Sequence, residues 1–252
     1  MKEFEGKVVI VTGASSGIGR ATALAFARGG ASVVVAARRE DEGRQTLALI
    51  EKQGGQGLFV RADVAREVDV RQLVERTLAA YSRLDYAFNN AGIEGELGPV
   101  TAQTEQNFDA VFDVNVKGVL FCMKHEIPAM LTTGGGVIVN CASVGGFVGF
   151  PNASVYSASK HAVMGLTRSV ALETAGSGVR INVVAPTATR TSMFDRFTGH
   201  DAGTQKAIAQ SIPMGRVGEV EEMAGAVLFL CSSRATFMTG QSVTVDGGLT
   251  AQ

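Results

Sequence analysis

Short apolar runs alternate with longer amphipathic segments along almost the whole chain. The apolar runs are rich in β-branched residues and predict strands at 7–12, 32–37, 57–62, 84–88, 136–142, 179–185 and 241–245. Between them, apolar residues recur at helical spacing and predict helices near 18–29, 40–53, 67–80, 103–131, 155–175 and 219–232. This alternation is typical of βαβ units, which build a parallel sheet. The nearly continuous apolar character of the strands indicates that both faces of the sheet are buried.

No Pro-rich or Ser-rich linker interrupts the pattern, so we expect one α/β domain over residues 1–252. The least regular stretch is 186–215, which follows directly after a predicted strand. Long connections in compact domains often act as lids or binding loops. Ligands of open α/β sheets bind at the carboxyl ends of the strands. We therefore expect 186–215 to contain the substrate-binding loop.

The composition narrows the class of protein. The chain is 46% hydrophobic and 19% charged, with a net charge of −1. These values argue against disorder, and against a nucleic-acid or membrane partner. No apolar stretch reaches the ~18 residues of a spanning helix, and the charged start resembles neither a signal peptide nor a transit peptide. We expect a cytoplasmic protein in which Cys122, Cys141 and Cys231 are buried free thiols.

A glycine-rich sequence, VTGASSGIG, closes the first predicted strand and opens the first predicted helix. Glycines allow the backbone to turn tightly and to approach a ligand closely, and a helix N-terminus offers free N–H groups to a pyrophosphate. The alternative is an ordinary βα turn. Its position after the first strand of a βαβ unit favours a dinucleotide. The predicted contacts are Gly13, Ser15, Ser16, Gly17, Ile18 and Gly19.

The residues after the second and third strands bear on the choice of dinucleotide. Enzymes selective for NAD usually place an acidic residue at the end of the second strand, whereas arginine accommodates the 2′-phosphate of NADP. Here Ala37 occupies that position, and Arg38 and Arg39 follow it. The alternative is a pair of solvated arginines bridging to the acidic residues after them. We predict NADP(H) in preference to NAD(H). Asp63 and Val64 are candidate adenine contacts, although Asp63 is equally suited to capping its loop.

The sequence YSASK at 156–160 places Tyr156 and Lys160 one helical turn apart, on the same face. At ~5 Å and an effective dielectric constant of ~20, an ammonium group stabilises a phenolate by roughly 3 kcal/mol. This attraction predicts that the pKa of Tyr156 falls from ~10 to roughly the high sevens, a range suited to general acid–base catalysis. The alternative is a packed aromatic residue beside a snorkelling lysine.

Four motifs now stand in order: TGASSGIG at 12–19, NNAG at 89–92, Ser143 after the fifth strand, and YSASK at 156–160. In order and spacing the chain resembles a classical short-chain dehydrogenase/reductase, through to GQSVTVDGG at 240–248. The resemblance implies a single Rossmann-type domain, a three-layer αβα sandwich with a seven-stranded parallel sheet. It also implies an NAD(P)(H) cofactor, a small-molecule substrate and a homotetramer.

The same resemblance implies a catalytic tetrad and a set of cofactor contacts. The tetrad falls on Asn115, Ser143, Tyr156 and Lys160. Further cofactor contacts fall on Asn90, Ala91, Gly92, Tyr156, Lys160, Pro186, Thr187, Thr189 and Thr191. Thr187 departs from the family's Pro-Gly motif and narrows the space beside the nicotinamide. Asn115 is a mediocre helix former, and a kink there would hold a water that links Lys160 to solvent. A surface or capping role is the alternative for Asn115.

These residues together predict the reduction of a ketone to a secondary alcohol, or the reverse. The cofactor supplies hydride, Tyr156 supplies the proton, and Ser143 donates to the developing oxyanion. Apolar residues near the site indicate a hydrophobic carbonyl compound: Phe147, Phe150, Met193, Phe194 and Phe197. In the loop, Arg190 and Arg196 are the candidates for binding a carboxylate.

Two other functions are compatible with the motifs. A 3-oxoacyl carrier-protein reductase would need basic residues for docking its acidic carrier, and the segments 130–136 and 173–179 carry none. A non-catalytic NADP sensor would have no need of Ser143, Tyr156 and Lys160 together. The histidines form no spaced ligand set, so we predict no catalytic metal. The terminal carboxylate of Gln252 could help hold magnesium, as in some relatives, but a docked tail is the simpler reading.

Overall fold

The computed structural model describes residues 2–252, and seven parallel strands in it form one sheet. The strands are β1 (Val8–Thr12), β2 (Ser32–Ala37), β3 (Gln56–Arg61), β4 (Tyr86–Asn89), β5 (Gly136–Cys141), β6 (Val179–Pro186) and β7 (Ser242–Val245). Their order across the sheet is β3-β2-β1-β4-β5-β6-β7. The predicted seven-stranded parallel sheet is confirmed, and every strand lies within two residues of its predicted bounds.

The helices are α1 (Gly17–Arg28), α2 (Glu40–Lys52), α3 (Glu67–Tyr81), α4 (Glu105–Phe112), α5 (Gly118–Leu131), α6 (Ser154–Thr174), α7 (Ser192–Phe197), α8 (Ala202–Ser211) and α9 (Val220–Cys231). Two differences from the prediction concern the site. The long helix expected over 103–131 is divided by a π-helical turn at Asp113–Lys117. The stretch 186–215, expected to be irregular, contains α7 and α8.

Alternating side chains of the strands pack into two separate cores. In β1, Val8 and Ile10 face one core, while Val9 and Val11 face the other. The first core is completed by α3, α5 and α6, and the second by α1, α2 and α9. Each buried valine or isoleucine contributes roughly 1.5–3 kcal/mol through removal from water. The result is the predicted three-layer αβα arrangement, and the three cysteines are buried and free, as expected.

The order of the strands fixes where a ligand can enter. Strands β1 and β4 are neighbours, paired through Ile10 and Ala87. After β1 the chain continues towards one edge of the sheet, and after β4 it continues towards the other edge. A crevice therefore opens outside their carboxyl ends, which is the usual ligand site of such sheets. None of the helices in residues 2–252 combines the length and apolar character that crossing a membrane requires.

Candidate active site

A cavity of about 720 Å³ lies at the carboxyl ends of the strands, in the crevice between β1 and β4. Its wall is formed by the glycine loop, the ends of β2 and β3, the NNAG segment, the segment after β5, and α6. Parts of 186–215 and Leu249 complete it. All the predicted site residues line it except Gly19 and Asn115, which lie behind the wall. Sequence segments as far apart as Gly13 and Leu249 thus meet in one cavity.

The glycine loop is shaped for close approach by a ligand. Gly13 and Gly17 have φ angles of +63° and +54°, a region that favours glycine. A Cβ on Gly13 would lie 2.8 Å from Nδ2 of Asn90, and one on Gly19 would lie 2.5 Å from the carbonyl oxygen of Gly13. Helix α1 begins at Gly17, and no side chain caps its N-terminus. Free N–H groups of this kind bind phosphate, so the residues present fit a dinucleotide pyrophosphate.

Arg38 and Arg39 lie beside the cavity after β2, but they are held differently. Arg39 donates to the hydroxyl oxygens of Ser15 and Ser16, each at 2.9 Å. Arg38 is 58% exposed at its side chain, with Nη1 3.9 Å from a carboxylate oxygen of Asp63. Asp63 also accepts from the backbone N–H of Ala65, the loop-capping role that the sequence left open. Arg38 is therefore the less constrained of the two arginines.

The NNAG segment joins the cavity to the core of the sheet. Nδ2 of Asn90 donates to the carbonyl oxygens of Thr12 and Gly13, at 3.0 and 3.4 Å, which fixes β4 against the glycine loop. Asn89 points the other way, into the core, where its amide donates to Asn140 at 3.0 Å. A Cβ on Gly92 would lie 3.2 Å from Oδ1 of Asn115 and 3.5 Å from Nζ of Lys160.

Ser143, Tyr156 and Lys160 meet at the centre of the cavity wall. Ser143 follows β5, and its hydroxyl acts on the phenol of Tyr156 by favouring the phenolate. Its Oγ also accepts from the backbone N–H of Gly145 at 3.1 Å. Nζ of Lys160 lies 5.6 Å from the centroid of the Tyr156 ring and donates to the carbonyl oxygen of Cys141 at 3.0 Å. The structure thus brings a hydroxyl, a phenol and an amine together.

The predicted fall in the pKa of Tyr156 is wrong for this structure. Burial raises the pKa of Tyr156 well above its ordinary value, because the phenolate would lose its water, and the negative charge of Glu94 acts in the same direction. The hydroxyl of Ser143 acts in the opposite direction but offsets this rise only in part. Burial also lowers the pKa of Lys160. The sequence argument counted the attraction between the two groups and omitted their desolvation.

Asn115 lies in a π-helical turn, which departs from α-helical geometry at the residue where the sequence predicts a kink. Its Oδ1 accepts from the N–H of Ile93 at 2.8 Å, and its Nδ2 donates to the carbonyl oxygen of Ile93 at 2.9 Å and to Oγ of Ser159 at 3.0 Å. Oγ of Ser159 in turn donates to the carbonyl oxygen of Tyr156. Asn115 therefore ties the segment after β4 to the helix that carries Tyr156, and it is only 1% exposed.

The segment after β6 forms the remaining wall. Thr189 donates to the carbonyl oxygen of Thr187 at 2.8 Å, and Thr191 caps α7 by accepting from the N–H of Phe194. If Gly17 carried a Cβ, that atom would lie only 3.1 Å from the methyl group of Thr191. The segment after β6 therefore packs closely against the glycine loop. Two threonines whose side chains bond to the backbone, Thr189 and Thr191, thus shape this side of the cavity.

Apolar side chains surround the space in front of Tyr156. Phe150, Met193, Phe194 and Phe197 line the cavity as predicted, and Phe197 meets Tyr156 edge to face with ring centroids 6.4 Å apart. Phe147 does not line it and is 40% exposed. Sequence reasoning missed the apolar lining residues Ile93, Val114, Val144, Ile208, Ile212 and Leu249. Ile93 and Val144 directly follow predicted motif residues, which was a usable signal.

Comparison with known proteins agrees with this geometry. Residues 13–250 match the family model described as Enoyl-(Acyl carrier protein) reductase. The chain is 42% identical over 252 residues to the 2,5-dichloro-2,5-cyclohexadiene-1,4-diol dehydrogenase of Sphingobium indicum, covering 100% of both chains.

Two solved structures match this chain over nearly its whole length. Levodione reductase matches with a TM-score of 0.96 and 36% identity, over 98% of this chain and 99% of that chain. The 3-ketoacyl-(acyl-carrier-protein) reductase from Brucella melitensis complexed with NADH matches with a TM-score of 0.91 and 35% identity, over 98% and 99%. The chain belongs to the classical short-chain dehydrogenase/reductase family of oxidoreductases.

Proposed function

We propose that the protein interconverts a secondary alcohol and its ketone with NADP(H), using Tyr156 as the proton donor and acceptor. The observation that carries the proposal is the meeting of Ser143, Tyr156 and Lys160 in the wall of a cavity that also holds the glycine loop. A nucleotide that occupies the loop would extend along the wall towards the phenol. A bound nicotinamide would supply or accept the hydride.

Each residue has a distinct part in this proposal. Tyr156, with its raised pKa, keeps its proton at neutral pH and can donate it from Oη to a carbonyl oxygen. The hydroxyl of Ser143 can donate to the same oxygen as negative charge develops on it. The ammonium of Lys160 favours the phenolate that remains after donation. Asn115 acts through its hydrogen bonds to Ile93 and Ser159, which position the helix of Tyr156.

The preference for NADP(H) rests on Arg38. Its guanidinium is exposed beside the cavity at the end of β2, where the 2′-phosphate of a bound NADP would lie, and its nearest carboxylate is 3.9 Å away. The planar fork of arginine suits bidentate contact with phosphate. Ala37 leaves no carboxylate at the end of β2 to hold the ribose hydroxyls of NAD.

The substrate we propose is a neutral, hydrophobic carbonyl compound or alcohol built on a six-membered ring, held by the loop within 186–215. Phe150, Met193, Phe194 and Phe197 provide apolar and aromatic walls of the kind that bind such rings. The similarity to a cyclohexadiene-diol dehydrogenase supports the same size and class of substrate.

Reduction of a carrier-bound 3-oxoacyl chain is the second candidate, since one similar structure carries that activity in its name. The sequence argument against it considered segments 130–136 and 173–179, which are the wrong segments for a docking site. They precede β5 and β6, so they lie at the amino ends of the strands, away from the cavity. In the loop after β6, Arg190 is paired with Glu219 at 3.0 Å, and Arg196, which lines the cavity, is paired with Glu94 at 2.6 Å. An acidic carrier would gain little from them, which favours a small neutral substrate.

The test follows absorbance at 340 nm with NADPH or NADH and a panel of cyclohexanones, acyclic ketones and a 3-oxoacyl thioester. We expect NADPH oxidation with the cyclohexanones, and a loss of about 10²–10⁴-fold in kcat for Tyr156→Phe. Tyr81→Phe, which removes a phenol far from the cavity, is the matched control and should retain activity. Unimpaired turnover by Tyr156→Phe would overturn the catalytic assignment. Nucleotide binding without any turnover would favour the sensor.

A further inference from the structure

An ion pair closes the substrate end of the cavity. Glu94 lies two residues after the NNAG segment, and Arg196 lies on α7, 102 residues further along the chain. Nε of Arg196 donates to Oε1 of Glu94 at 2.6 Å, and Nη2 donates to Oε2 at 3.2 Å. Both carboxylate oxygens are thus engaged by one guanidinium. The Glu94 side chain is only 12% exposed, whereas that of Arg196 is 52% exposed.

Among the described residues that line the cavity, the cations are Arg38, Arg39, Lys160 and Arg196. Arg38 and Arg39 stand at the nucleotide end, after β2. Lys160 is 5% exposed and donates to the carbonyl oxygen of Cys141 behind Tyr156. Arg196 is therefore the cation that a substrate would meet in front of the phenol.

The bidentate contact with Glu94 decides what Arg196 can do. A guanidinium whose fork is filled by one carboxylate cannot offer the same paired donors to a second. A substrate carboxylate would also approach the negative charge of Glu94, which has little water around it to weaken the repulsion. The two charges together make this end of the cavity close to neutral.

We propose that the Glu94–Arg196 ion pair makes the enzyme select neutral carbonyl compounds and alcohols and reject those that carry a carboxylate across the ring from the reacting carbon. Glu94 is then a specificity-determining residue, because it neutralises an arginine that would otherwise bind an anionic substrate. This inference rests on the proposed function, and it adds to it the pair of residues that makes the site select a neutral substrate.

The test compares two probes of similar shape, 4-methylcyclohexanone and 4-oxocyclohexane-1-carboxylate. For the wild type, Glu94→Gln, and Glu94→Gln with Arg196→Gln, kcat/KM is measured with each probe and NADPH. In Glu94→Gln the ratio of carboxylate to neutral turnover should rise by about tenfold or more, the usual effect of a new hydrogen bond between charged groups. The double variant should lose this gain, since Arg196 supplies the contact.

A binding measurement separates this proposal from the proposed function. Calorimetric titration of cyclohexanecarboxylate into each variant, with NADPH present, reports the anion site whether or not ketones are turned over. Tighter binding by Glu94→Gln alone supports the proposal, even if the wild type reduces neither probe and the proposed activity fails. An unchanged ratio and unchanged binding, or a gain that persists in the double variant, would overturn it. If Glu94→Gln lowered kcat/KM equally with both ketones, the ion pair would have only a structural role, and this result would likewise overturn the proposal.

Discussion

The amide nitrogen of Asn89 lies 3.0 Å from Oε2 of Glu126, in a part of the core where both side chains are at most 2% exposed. The same amide donates to Asn140, which in turn donates to Thr167 at 2.9 Å. This chain of bonds links β4, β5, α5 and α6 immediately behind the NNAG segment. No cation balances Glu126 among its hydrogen-bond partners in residues 2–252, and burial raises its pKa to about 7.

The raised pKa makes stability depend on pH. Below the ordinary value of 4.5, Glu126 is protonated in both the folded and the unfolded state. Between 4.5 and about 7 the unfolded state loses the proton while the folded state keeps it, so the free energy of unfolding falls as pH rises. The total loss is about 3 kcal/mol and is complete above the folded pKa.

Glu126→Gln removes this titration while keeping an oxygen that can accept from Asn89. We expect the variant to raise the melting temperature by about 5 °C at pH 8 and to have little effect at pH 4.5. The measurement is a thermal melt at a fixed protein concentration at the two pH values. Glu75→Gln, which removes an exposed carboxylate on α3, is the control and should change neither melt. A decrease of the same size at both pH values would show a role of Glu126 that does not depend on its titration, and would contradict the prediction.

The second prediction concerns Arg38 and the choice of cofactor. Arg38→Ala should raise the KM for NADPH by about 10- to 100-fold, the effect of losing a hydrogen bond between charged groups, and should leave the KM for NADH nearly unchanged. Steady-state kinetics with both cofactors and one ketone provides the measurement. Arg44→Ala, an exposed arginine on α2 paired with Glu40, is the control. An equal rise in KM for both cofactors would mean that Arg38 only maintains the structure of the loop, and would remove the argument for NADP.

The fold could be predicted from the sequence because strands and helices are indicated by patterns within short stretches of neighbouring residues. β-branched runs and helical periodicity placed all seven strands and the main helices. The segment 186–215 was harder, because α7 and α8 are short and bury none of their residues. They are stabilised by caps such as Asp201, which accepts from the N–H of Thr204. Short helices with so few buried residues leave little apolar pattern for the sequence to reveal.

The site was predictable only in part, for a related reason. The motif residues could be found because each lies beside a strand end or within one helical turn of its partner. The Glu94–Arg196 pair joins residues 102 positions apart, and nothing local to either residue indicates the other. The pKa of Tyr156 was predicted in the wrong direction because it depends on burial, which is set by side chains from several distant segments.

The third prediction concerns the pH dependence of catalysis. Because burial and Glu94 both raise the pKa of Tyr156, the phenol is protonated at neutral pH. Ketone reduction needs that proton, so its kcat/KM should be constant through neutral pH and fall only in the alkaline range. Alcohol oxidation needs the phenolate as base, so its kcat/KM should keep rising into the alkaline range.

Glu94→Gln should move the rising limb of alcohol oxidation to lower pH, since it removes the negative charge that raises the pKa of Tyr156 and leaves the positive charge of Arg196 less balanced. The measurement is kcat/KM for cyclohexanol with NADP⁺ as a function of pH, with Glu75→Gln as the control carboxylate variant. A limb that stays in place would mean that Glu94 does not act on the phenol electrostatically. A limb that moves to higher pH would contradict the sign of the interaction, and with it the assignment of Tyr156 as the titrating base.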